Sequence, residues 1–298
     1  MNCLLTGSSG FLGNLISQEI SKENVLFTLS RSGGHYKINL DTEIGDFGRS
    51  FDIVIHAAGK AHNIPKTEIE ISEFEKTNVI GTLNLLKGLE VSGIPKMFVF
   101  ISSVSVYGLQ NGDDINELSN LNAKDPYGLS KIEAEKIIKI WCKKNNIKCT
   151  ILRLPLVIGS KPPGNLGSMI NAIRKGFYFN IDGGSARKSM VLVSDVSKCI
   201  LRAAEVGGIF NLTDGCHPNF NELSHLISIQ FGKKIVPNMP LFVAKILAFI
   251  GDKVGPKFPI NSNKLIKITS TLTFNDSKAR EAFGWNPTPV LKGFKIHE

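Results

Sequence analysis

"MNCLLTGSSGFLG", residues 1–13, decides the fold. A short apolar run, Cys3 to Leu5, feeds into glycines at Gly7, Gly10 and Gly13, and "NLISQEISKE" (14–23) follows as a helix before a second apolar run. Glycine lets a backbone turn sharply and lets another group come close, so the loop is either a tight strand-to-helix turn or the floor of a binding site.

Working outward, apolar runs recur at Val25–Leu29, Asp52–His56, Lys96–Ser102 and Cys149–Leu154, with helical segments between them. Such alternation predicts a parallel sheet with helices on both faces. "FDIVIHAAG" (51–59) and "MFVFISS" (97–103) are apolar throughout, as strands covered on both faces must be. The expected class is therefore α/β: a Rossmann-type, doubly wound parallel sheet over residues 1–155. Beyond it, "LPLVIGSKPPGNLG" (154–167) reads as loop, punctuated by Pro155, Pro162, Pro163, Gly164 and Gly167. A smaller, interleaved C-terminal lobe is expected over 156–298, with 190–213 returning to the first domain as strand, helix (Asp195 near its start) and strand. From Phe220 the tail is mostly helical, and "FNDSKAREAFGWNP" (274–287) reads as a capped helix ending at Gly284.

With 298 residues, 42% hydrophobic, the chain can bury a sizeable core. Its 35 lysines and arginines exceed its 26 carboxylates, for a net charge of +9, yet the densest cluster (Lys136, Lys139, Lys143, Lys144, Lys148) reads as the solvated end of one helix. With Glu133 and Glu135 nearer the start, it complements the helix dipole, and no aromatic residues interleave with it as single-strand binding needs. Small anionic ligands are expected and nucleic acid is not. The five cysteines lack C-x-x-C spacing and a histidine cluster, so reduced thiols and no metal are expected. Leu241–Gly251 is too short to span a bilayer and is interrupted by Lys245, which makes it an amphipathic helix. A cytoplasmic protein without membrane insertion is expected.

The glycine loop sits between strand and helix, as a dinucleotide fingerprint does, with helix amides placed to receive a pyrophosphate. Its spacing, G-x-x-G-x-x-G, leaves the plain turn open. At the end of the second run, "VLFTLSRSGGH" (25–35) puts Ser30 and Arg31 where an NAD site carries a carboxylate, and an arginine there suits the 2′-phosphate of NADP or stands as a plain surface charge. In "DPYGLSKIEAEK" (125–136), Tyr127 and Lys131 lie four apart on one helix face. A nearby ammonium is expected to lower the phenol's pKa from about 10, readying it to exchange a proton with a carbonyl or alcohol. Ser102 and Ser103 end a buried strand at the sheet's carboxyl edge, in reach of the same oxygen. His56, His62 and His217 show no ligand or acid–base spacing and read as ordinary core or loop histidines.

Together, "TGSSGFLG", "HAAG", "NVIGTLNLL", "SSVSVYG", "YGLSK" and "RLPLVIG" resemble the extended short-chain dehydrogenase/reductase superfamily, in the branch that modifies nucleotide sugars. The likeness runs along nearly the whole chain. It implies a catalytic set of Ser103, Tyr127 and Lys131, with Lys131 also holding the nicotinamide ribose. It also implies cofactor contacts from Gly7, Gly10, Phe11, Leu12 and Gly13, from Ser30 and Arg31, from Asn39 and Leu40 beside the adenine, and from Ala57, Ala58 and Gly59. Leu154 and Val157 are implied near the nicotinamide. Asn165 and Arg187 match substrate-gripping positions near the diphosphate, and relatives often form a homodimer through a four-helix interface.

Several reactions share this catalytic set. The branch's 4,6-dehydratases carry an Asp-Glu pair after the catalytic hydroxyl, where this chain has Val104 and Ser105. Enzymes that epimerise and then reduce place a cysteine where Val104 stands. A 4-keto reductase with NADP and a 4-epimerase with bound NAD remain, and Ser30–Arg31 favours the reductase. The layout resembles bacterial UDP-N-acetylhexosamine 4-keto reductases serving surface polysaccharide synthesis. A dinucleotide-binding sensor without catalysis would typically lack the tyrosine or the lysine.

Overall fold

The computed structural model describes residues 1–61, 65, 67–160, 162–233, 236–255 and 258–296. Seven strands make the central sheet: β1 (Asn2–Thr6), β2 (Val25–Ser30), β3 (Tyr36–Lys37), β4 (Ile53–His56), β5 (Met97–Ser103), β7 (Lys148–Leu154) and β11 (Gly208–Asn211). Their order is β11-β7-β5-β4-β1-β2-β3, every pair parallel. The order reverses between β1 and β4, which opens a crevice at the strands' carboxyl ends, the place where such sheets take ligands.

The apolar character of the strands has a direct cause. Leu4, Val54, Phe98, Phe100 and Ile151 point to one face, where Leu85, Leu89, Ala134 and Ile138 of α3 (Gly81–Ser92) and α4 (Pro126–Lys144) cover them. Their neighbours Cys3, Leu5, Ile53, Ile55, Val99, Ile101 and Leu152 point to the other, beneath Ile16 of α1 (Phe11–Ile20) and Val196 and Ile200 of α6 (Val193–Val206). A strand period of two puts alternate residues into opposite cores, so the strands are apolar except where a buried polar side chain such as His56, Thr150 or Arg153 finds hydrogen-bond partners. Before α3, α2 (Glu68–Phe74) runs into a π-helical turn, Glu75–Ile80, that carries Asn78 inward.

Three two-stranded pairs build the second lobe and its seam: β8 (Leu156–Ile158) with β10 (Met190–Leu192), β9 (Asn180–Ile181) with β12 (Asn238–Met239), and β6 (Gly112–Ile115) with β13 (Leu272–Phe274). Around them lie α5 (Gly164–Lys175), α7 (Phe220–Gln230), α8 (Leu241–Val254), α9 (Ser262–Thr269), α10 (Ser277–Phe283) and α11 (Val290–Gly293). The "GNLG" stretch read as loop is instead the first turn of α5, since Pro163 precedes the helix in extended conformation and Gly167 packs beside the Pro162 carbonyl. In α10, Gly284 closes the helix in the left-handed region, but Asp276 makes no N-cap bond and pairs with Arg280 instead. No helix among the described residues is long and apolar enough to cross a membrane. All five cysteines are free thiols, and no group of metal-binding side chains occurs among the described residues.

Candidate active site

The glycine loop closes onto β4. Gly7 has φ +73°, and a side chain there would place Cβ 2.6 Å from the Ala58 nitrogen and 2.8 Å from the Ala57 carbonyl carbon. At Gly13 an added Cβ would lie 2.0 Å from the Gly7 oxygen. Both contacts are with backbone, so only glycine lets the loop, the start of α1 and the Ala57–Ala58–Gly59 segment converge. Gly10 caps α1 with no side chain on the free amides and no acidic residue in the first turn, which leaves that end to attract an anion. Phe11, the first residue of α1, packs against Gly159, where an added Cβ would meet its ring at 2.7 Å; Leu12 is half-buried beside it. These features fit a dinucleotide.

At the end of β2, Ser30 is occupied in its own turn: its hydroxyl donates to the Gly33 carbonyl at 2.7 Å and accepts from the Gly33 amide at 3.1 Å. Arg31 is exposed, with no ion pair or side-chain hydrogen bond among the described residues. Asn39 caps its own turn through the Asp41 amide, 3.3 Å away, and Leu40 is buried in the core beneath it. Leu154 is buried at the end of β7, and Val157 is half-buried on β8 opposite Val191.

The reactive side chains converge at the carboxyl end of β5. Pro126 at the first helical position and the Asp125 side chain, which accepts the Gly128 amide at 3.0 Å, start α4 so that Tyr127 falls in its first turn. The Tyr127 phenol faces the Ser103 hydroxyl, which itself donates to Ser105 Oγ at 3.1 Å. The expected depression of the phenol's pKa does not occur. Burial pushes it up, and although the Ser103 hydroxyl pulls the other way, Asp125 adds to the rise. Lys131 instead sits deeper, its ammonium donating to the Ile101 carbonyl at 2.9 Å and lying 4.5 Å from the Phe100 ring centre. Burial holds Lys131 down at about 8, against the opposing pull of Glu135. Its Nζ is 3.2 Å from where a Gly59 Cβ would stand, which joins the lysine to the cofactor segment.

His56 is the core histidine the sequence suggests, but its hydrogen-bond chain and two further features escaped the sequence. His56 accepts at Nδ1 from Thr6 at 2.7 Å and donates from Nε2 to Thr82 at 3.0 Å, because Thr82 spends its own proton on the Asn78 carbonyl and Thr6 already accepts the Ala58 amide. Burial, with Lys131 nearby, holds His56 neutral, its pKa lowered to about 3. Asn78 continues the chain, accepting the Lys60 amide at 2.7 Å and donating to Ser130 Oγ at 2.8 Å. The second feature is Glu135, which is fully buried and not part of the solvated helix face. It takes two bonds from Arg153 (3.1 and 2.7 Å) and one from Ser102 (2.6 Å), while Arg153 reaches on to Tyr107 at 3.1 Å. Its spacing was the available signal, since Tyr127, Lys131 and Glu135 recur every four residues on one inward face.

The third lies in the second lobe. Asn165, in the first turn of α5, and Arg187 are both exposed, and nothing among the described residues ties either to Tyr127. Lys188, the neighbour of Arg187, is half-buried, with no side-chain partner among the described residues. Burial and the charge of Lys267 lower it to about 8. His217 is bonded to Ser189, as an ordinary loop histidine is, and His62 lies outside the described residues.

A profile of the NAD dependent epimerase/dehydratase family matches residues 3–212. A UDP-glucose 4-epimerase of Vibrio cholerae is 29% identical over 317 residues, which span 98% of this chain and 93% of that protein. A GDP-6-deoxy-D-mannose reductase of Pseudomonas aeruginosa is 26% identical over 241 residues, 75% of this chain and 78% of that protein. Among solved structures, RMD from Pseudomonas aeruginosa complexed with NADPH has the same fold, with a TM-score of 0.74 and 21% identity over 98% of this chain and 95% of that one.

Proposed function

The chain belongs to the NAD dependent epimerase/dehydratase family, and from that premise we propose that it is an NADPH-dependent reductase of the 4-keto group of a nucleotide-linked sugar. The substrate proposed is a UDP-linked 6-deoxy-N-acetylhexosamine, used in the cytoplasm for surface polysaccharide synthesis. The observation that carries this reading is Arg31, exposed at the end of β2 with no side-chain partner among the described residues, where a cation suits the 2′-phosphate of NADPH. The Tyr127 phenol is placed to exchange a proton with the sugar's C4 oxygen. Val104 and Ser105, which follow Ser103, supply no acid or base for dehydration.

Gly7, Gly10 and Gly13, the first amides of α1, Ala57–Gly59 and Lys131 would hold the cofactor, with Arg31 on a 2′-phosphate. When bound, the nicotinamide supplies the hydride. Ser103 and Tyr127 would both hydrogen-bond the C4 oxygen and Tyr127 would give it a proton, while Lys131, anchored on the Ile101 carbonyl beside Gly59, would hold the nicotinamide ribose. Lys188, half-buried and without a side-chain partner among the described residues, is a cation suited to the substrate diphosphate, and the exposed Arg187 and Asn165 are further candidates for it. The exposed Ile80, Leu83, Leu129 and Ile140 on and beside α3 and α4 suit pairing of two copies into a four-helix interface.

The relation to a UDP-glucose 4-epimerase favours a second reading, a UDP-hexose or UDP-N-acetylhexosamine 4-epimerase with bound NAD. A panel of 4-keto nucleotide sugars offered with NADPH separates the two. Loss of absorbance at the reduced-nicotinamide band with a 4-hydroxy product supports reduction. No oxidation of NADPH, with UDP-hexosamines interconverting on NAD alone, supports the epimerase.

A further inference from the structure

Two stretches of the sequence that meet where β9 pairs with β12 carry most of the net charge. Residues 161–182 and 231–270 hold ten of the 35 lysines and arginines but two of the 26 carboxylates, which leaves 25 cations and 24 carboxylates in the rest. Of the two, Asp252 is already engaged by the amide and hydroxyl of Ser262.

The same region exposes apolar side chains on a helix that is packed the opposite way from a core helix. α8 lies against the lobe through its small residues, Ala244, Ala248 and Gly251, which share an apolar cluster with Ile181 and Leu265 or touch its edge. Gly251 sits so close to the Ile260 carbonyl that an added Cβ would be 1.9 Å from it. The large residues face outward: Phe242 is 66% exposed, Ile246 57% and Phe249 59%. Lys253 lies on that outer face, its ammonium 4.5 Å from the Phe249 ring centre, and Lys245 flanks it. Phe177, 75% exposed, and Phe179 precede β9, whose partner β12 leads straight into α8.

We propose that this face lies flat on an anionic lipid bilayer, with the outer side chains of α8 in the headgroup–acyl boundary and the surrounding lysines on lipid phosphates. An in-plane helix needs an apolar face with cations on and beside it, and does not need the length of a span. Charge selects this occupant over a second copy, because pairing two such faces would bring like-charged ends together. Each lysine near an anionic surface strengthens binding about fivefold at moderate ionic strength.

The test is flotation of the full chain with vesicles of phosphatidylglycerol and phosphatidylethanolamine, and with vesicles of phosphatidylcholine alone. The chain floats with the anionic vesicles, less so at high salt, and stays behind with the neutral ones. The double variant Lys245→Glu, Lys253→Glu loses at least about 25-fold in partitioning. Phe242→Ser with Phe249→Ser loses binding at both salt levels. Thermal unfolding midpoints within a few degrees of the parent show that these surface variants remain folded. Absence of flotation with anionic vesicles at low salt, equal flotation with neutral vesicles, or variants that float like the parent each overturn the proposal. So does concentration-dependent self-association, without lipid, that the same variants abolish.

Discussion

Replacing Lys131 by methionine probes the buried ammonium at the centre of the site. The lysine has an ordinary pKa of 10.5, and its surroundings in the folded protein lower that to about 8. Below pH 8 it is protonated in both folded and unfolded chains, so folding there carries the full penalty of burying the charge. Between pH 8 and 10.5 the unfolded chain binds more protons than the folded one, and stability rises with pH. The difference between about 8 and 10.5 corresponds to about 3 kcal/mol. Methionine is apolar, of similar length, and does not titrate. Urea unfolding of parent and Lys131→Met proteins from pH 7 to 10.5, compared pairwise, cancels the other titrating groups. The parent gains about 3 kcal/mol on the variant across that range, while the variant loses turnover at every pH. Parallel stability curves would refute the claim that burial dominates this ammonium.

Gly7→Ala sets a Cβ against the Ala58 backbone at a φ that costs about 1–2 kcal/mol for any L side chain, so NADPH affinity by fluorescence titration falls about tenfold or more. Arg31→Glu removes a charge-assisted bond worth about 1.5–3 kcal/mol and repels a 2′-phosphate, so the NADPH-over-NADH preference in kcat/KM drops or reverses. Glu135→Gln leaves Arg153 charged and short of its carboxylate in a dry interior, at a cost of about 3–5 kcal/mol. Its thermal midpoint, followed by circular dichroism, falls by about 10 °C.

The central sheet was legible because both faces are covered, which forces every residue of a strand such as Met97–Ser103 to be apolar until its carboxyl end. The glycine loop was legible for a similar reason: two backbone contacts exclude any Cβ at Gly7 and Gly13. What the sequence hid was depth. A four-residue spacing brings Tyr127 and Lys131 to one face but does not say how far each is buried, and burial reverses the expected direction of the phenol's pKa. Glu135 looked like one more charge on a lysine-rich helix, because its partner Arg153 comes from a strand 18 residues away. Asn78 points inward through a π-helical turn that no local pattern announces. Arg187 and Lys188 are adjacent cations in the sequence, and only the fold separates the exposed one from the half-buried one.

Single-turnover reduction of a 4-keto nucleotide sugar by the Tyr127→Phe protein, with NADPH binding measured on the same sample, tests most directly that this phenol is the proton donor. The account predicts unchanged NADPH affinity and a hydride-transfer rate lower by about 10²–10⁴-fold. A rate equal to the parent's with NADPH fully bound would contradict it.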